Sequence, residues 1–194
     1  MSESSRLQKV LARIDAANAQ DPNMEETGTA AEPAALLYGR RMSEVLGEFS
    51  PNASEDLQIA VRAQHIERWK RPRKDYAAGR AGYLEWRRDA ARSHADRVGE
   101  LMQLEGYDEQ DRERVTALVL KQGIKRDPEA QTLEDVACLV FMRWYFAPFS
   151  TKHTQEELFR IVKKTARKMS ASGRTAALKL PLPAELVPAI DAAD

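Results

Sequence analysis

Residues 133–146, LEDVACLVFMRWYF, most constrain what this chain can fold into. Wound as a helix, the segment is apolar on nearly every side except at Arg143. Such a helix cannot lie on a surface; it has to be buried and central, with amphipathic elements packed around it. The segments around it have that character. Leu7, Val10, Leu11 and Ile14 recur at helical spacing and predict a helix over residues 5–19. Residues 21–31, with Pro22 and Gly28, read as a loop. A second helix is expected from Glu32-Pro33, with proline at the tolerated first position, and it ends at Pro51. Ser54 caps a third, reaching Trp69 and carrying Leu57, Val61 and Ile66 on its apolar side. A long fourth helix runs over residues 80–105 and stops at Gly106, and a fifth covers 108–122. The buried helix is expected to begin at Thr132. Thr154 and Glu157 form a capping-box pattern opening another helix through Met169. Pro181 and Pro183 force an extended stretch before a last short helix over 184–192. No strand pair stands out. The expected architecture is all-α: one compact helical domain over residues 1–194, with an extended tail from 179.

Composition and charge narrow the class of function. Thirty basic and thirty acidic side chains give zero formal net charge, which argues against a dedicated nucleic-acid binder, since those carry a basic surplus. A lone cysteine, Cys138, rules out a disulfide within the chain and a four-cysteine zinc site. No apolar stretch reaches membrane length, and MSESSRLQKV lacks a signal-peptide core. A cytoplasmic protein is expected.

The charge is not evenly spread. Residues 62–98 hold eleven Lys and Arg against five Asp and Glu, together with His65, His94, Trp69 and Trp86. Guanidinium groups beside imidazoles suit an oxyanion such as a phosphate or carboxylate. Many of these arginines have acids three or four residues away and read as a solvated helix face. Arg73 and Arg80 flank a proline-glycine loop, and Arg87 shares a helical stripe with His94, so these differ. With Tyr76, and with Lys121 and Lys125 bracketing Gly123, they form the candidate anion site. His65, His94 and Asp135, on three predicted helices, are the candidate catalytic residues. As two imidazoles and a carboxylate they would also suffice to ligate one divalent metal ion. A bland alternative stands beside each: a hydrogen-bonded core-edge histidine, and for Asp135 a cap at the start of its own helix.

The order His65, His94, Asp135 resembles the HD-domain phosphohydrolases, all-helical enzymes with a histidine, a His-Asp doublet and a distant aspartate. The doublet here is His94-Ala95, with Asp96 one position on. The segments QHIERWKRPRKDYAAGRAGYLEWR, HADRVGELMQLEGY, DPEAQTLEDVACLVFMRWYF and KKTARKMSASGRTAAL together resemble an uncharacterised family of bacteria and fungi. Some of its members carry the label glutamyl-tRNA synthetase. That resemblance covers nearly the whole chain. It implies marked positions at His65, Arg73, Tyr76, Arg80, Tyr83, Trp86, Arg87, His94, Lys121, Asp135 and Phe141, and no defined activity. The leading expectation is a small enzyme acting on an anionic phosphoester or nucleotide, with a divalent metal as the candidate cofactor. The alternatives are a non-catalytic module for a nucleotide, an RNA end or an acidic partner, and a helical interaction protein using Trp144-Tyr145-Phe146.

Overall fold

In a computed structural model, which describes residues 5–28 and 30–191, the protein is predominantly helical. Ten α-helices and one two-stranded antiparallel sheet are found among the described residues. They gather into two compact units. The first comprises the described residues of Met1–Glu44 and Asn52–Gln122, the second those of Val45–Pro51 and Gly123–Asp194.

In the first unit, α1 (Arg6–Asn18) is opened by the Ser5 hydroxyl, and Gln8 returns the bond to complete a capping box. Strands β1 (Met24–Glu26) and β2 (Ala31–Pro33) follow, paired Met24 to Pro33. This hairpin occupies the stretch read as loop. Strands of three residues are too short to show alternation, so tertiary ties have to specify them. Asp21 provides two such ties: one carboxylate oxygen accepts from the Asn23 amide and the other from the Ala35 amide inside α2 (Ala34–Phe49). Glu25 pairs with Arg41. Pro33 therefore closes a strand rather than opening the helix.

Next come α3 (Glu55–Arg62), α4 (Gly79–Leu104) and α5 (Glu109–Val119). α5 packs on α3 and α4, and α1 packs on the same two. Val10, Ile14, Ile59, Val61, Val98, Val115 and Leu118 are fully buried. Arg62 ties α3 to α1 through a two-pronged bond to Asp15, at 2.7 and 2.6 Å.

In the second unit, α6 (Pro128–Val140) starts four residues earlier than expected, because Asp127 caps it and Pro128 takes the first position. Its ladder opens into a π turn over Phe141–Tyr145 before α7 (Phe146–Ser150). Leu133, Val136, Leu139, Val140, Met142 and Phe146 are buried, as the apolar run requires. The expected capping box of Thr154 and Glu157 begins α8 (Gln155–Ala166). The unit is completed by α9 (Ala171–Ala177) and α10 (Val187–Asp191). Ala192, expected in the last helix, lies outside the described residues. No helix among the described residues is long and apolar enough to cross a membrane.

Candidate functional site

The chain leaves helical geometry right after Arg62, not at Trp69. Nothing in RAQHIERW breaks a helix; the breaks come from outside the segment. The buried Asn18 side chain accepts the Glu67 amide at 3.0 Å, and Glu67 sits at φ 51, in the left-handed region. The Ile66 carbonyl faces His94 at 2.6 Å. With backbone groups engaged by α1 and α4, the segment cannot continue α3, and His65 lies in a turn instead.

That carbonyl fixes the chemistry of His94. A carbonyl only accepts, so Nδ1 carries the proton and Nε2 presents a lone pair. Nε2 is buried and has no hydrogen-bond partner among the described residues. Leaving a buried acceptor unmade costs about 1–3 kcal/mol, which a ligand bringing a donor would recover. The ring is 3% exposed, and burial with the charges of Arg68 and Arg71 pushes its pKa down to about 4, despite the opposing bond to Ile66.

His65 joins it, ring centroids 6.1 Å apart. Its other neighbour is Tyr38 of α2, stacked at 4.1 Å with the rings 19° apart. Burial first, then the charges of Arg68, His94, Lys121 and Arg87, hold His65 well below the ordinary imidazole value. Two imidazoles kept neutral beside several cations make up the candidate site. Burial also lowers Arg68, whose guanidinium lies over the Trp86 ring at 4.6 Å. Trp86 in turn donates to the Arg71 carbonyl at 2.8 Å.

Of the sequence candidates, His94, Lys121 and Arg87 therefore bear on His65. The others are placed differently. Arg73 donates to the carbonyls of Tyr76, Ala77 and Gly79, so it holds the loop that enters α4. The Tyr76 hydroxyl donates to Asp89 at 3.3 Å. Arg80 is exposed in the first turn of α4. Lys125 is exposed at φ 71 and belongs to the second unit.

Asp135 also belongs to the second unit. It lies in mid-α6, so it does not cap its own helix, as the sequence allowed. It anchors the start of α9: it accepts from the Ser170 amide at 2.8 Å, the Ser170 hydroxyl at 2.6 Å and the Gln131 amide group at 3.1 Å. Among the described residues, no group of three His, Cys, Asp or Glu side chains is arranged to hold a metal ion.

Sequence reasoning missed Arg68 and Tyr38 as site residues. Arg68 carried a signal, three residues beyond His65 in the basic segment. Tyr38 carried none, because only tertiary packing brings α2 to that ring.

Arg73's loop makes Gly82 indispensable to the start of α4. A Cβ there would stand 2.0 Å from the Ala77 carbonyl oxygen. Gly82→Ala should destabilise the protein by about 1–3 kcal/mol in urea unfolding, because backbone has to move. An unchanged midpoint would mean the loop yields freely.

No curated protein and no solved structure matches the chain. A family does match, described as "Domain of unknown function (DUF4202)", over residues 8–190, and since that is nearly the whole sequence, the chain belongs to this family.

Proposed function

We propose that the first unit binds a small oxyanionic molecule, a phosphoester or nucleotide being the favoured class, and that His94 Nε2 accepts a proton or hydrogen bond from it. One observation carries the reading: a buried imidazole with Nδ1–H fixed on Ile66 and Nε2 without a partner among the described residues. The cations support it. Arg68, Arg87 and Lys121 disfavour protonation of His65, and the same field favours an anion. A neutral imidazole next to bound phosphate can serve as a general base toward an attacking hydroxyl or water, with Arg68 and Arg87 stabilising the charge that develops. The lone cysteine, Cys138, is buried and in no disulfide, which accords with a cytoplasmic setting.

An HD-like reading, with His65, His94 and Asp135 on one divalent ion, has less support. Ala95 stands where the doublet needs aspartate, the imidazoles lie under positive charge, and both Asp135 oxygens accept bonds from Ser170. This donor set does not fit a cation.

Thermal unfolding with phosphate, pyrophosphate and nucleotides tests the proposal. Ligand at about 100 times Kd should add about 2.7 kcal/mol to wild-type stability. His94→Gln and Arg87→Ala should lose most of that gain. Equal gains in all three proteins would mean ionic screening and no site. Release of phosphate from the bound ester, lost in His94→Gln and unchanged by chelator, would mark an enzyme; binding without turnover would mark a binding module.

A further inference from the structure

The second unit contains a cleft that this function does not use. It is about 580 Å³ in volume and open to solvent, formed by the last turns of α2 with α6 and α9. That is the size of sites that take small organic molecules. Its lining is apolar at Val45, Phe49, Leu139 and Leu180. It also carries Glu48, Arg143, Lys179 and Ser172.

Arg143 reaches the cleft from the π turn. Opening a helix by one residue strains its hydrogen-bond ladder, and such turns gather at functional sites. Within this turn Met142 is buried while Arg143 is exposed, its guanidinium 4.4 Å from the Trp144 ring centre. Glu48, itself largely exposed, pairs with Arg143 at 3.0 Å. Lys179 has no acidic partner among the described residues and follows the last turn of α9. Two cations against one carboxylate leave the lining with a single net positive charge.

The geometry points to a second binding site, for a small organic monocarboxylate with an apolar body. The apolar lining residues remove the body from water, which contributes about 25 cal/mol per Å² buried. Lys179 and the Arg143 fork hold the carboxylate, one negative charge meeting the one surplus positive charge. A dianionic phosphate would exceed that balance, and a bare acetate would leave the apolar lining wet.

Calorimetric titration of the full chain with octanoate tests this, with 1-octanol and acetate as controls. Octanoate should bind, and each control should bind about tenfold more weakly or worse. Lys179→Gln should weaken octanoate by about tenfold and leave 1-octanol unchanged. Arg143→Gln should act in the same direction; the exposed Lys179 keeps the test sound should loss of Arg143 disturb the π turn. No octanoate binding at millimolar concentration, equal binding of octanoate and 1-octanol, or no effect of Lys179→Gln would each overturn the site.

Discussion

Asp135→Ala should cost the protein about 2–4 kcal/mol, because it leaves the Ser170 amide and hydroxyl without their acceptor at a 2% exposed position. Gly173 gives this prediction a second arm. A Cβ on Gly173 would lie 2.5 Å from the Asp135 carboxylate oxygen and 2.6 Å from its carbon. The carboxylate is held by three donors and cannot swing aside. Gly173→Ala alone should therefore destabilise by about 1–3 kcal/mol, although alanine is the better helix former. In the Asp135→Ala background the obstruction is gone, and the same glycine change should be neutral or stabilising. Urea unfolding of the four proteins reads the coupling directly. Additive costs would show that the α6–α9 contact is looser than the distances imply.

The second large effect concerns pH. The pKa of His94 is depressed from about 6.5 to about 4 in the folded chain. The unfolded chain thus takes up the proton first as pH falls. The stability this group contributes is complete above about pH 6.5 and is lost progressively toward pH 4, about 3 kcal/mol over the whole window. His65, also depressed, acts in the same direction. Asp135 is shifted the other way, raised by burial against its bonds from Ser170, so it offsets part of the loss at the acid end. Unfolding free energies at about pH 7 and about pH 4.5 should differ by kilocalories in wild type and by clearly less in His94→Gln. A wild-type slope that survives the substitution would assign the effect to other groups.

Both effects rest on residues the sequence singled out, but for reasons it could not supply. The helical class was legible because it is written locally. An apolar run over residues 133–146 needs burial, the Thr154 box marks a helix start, and Gly106 and the Pro181/Pro183 pair mark stops. So was the grouping of His65, His94 and Arg87, since two imidazoles and a local excess of guanidinium are a matter of composition within one segment.

Everything that depended on a backbone group meeting a distant side chain was decided by tertiary structure. Asn18 and His94 engage Glu67 and Ile66 and end α3 early. Asp21 caps α2 from fourteen residues upstream, which leaves Pro33 to the hairpin. No helix face in the sequence explains Arg73, and three loop carbonyls do. The sequence allows Asp135 a ligand's role or a local cap, and in the structure it anchors a helix start thirty-five residues on. Periodicity and charge report what a residue prefers. Which carbonyl or amide it meets is set by long-range packing, which is where the tautomer of His94 and the duty of Asp135 were fixed.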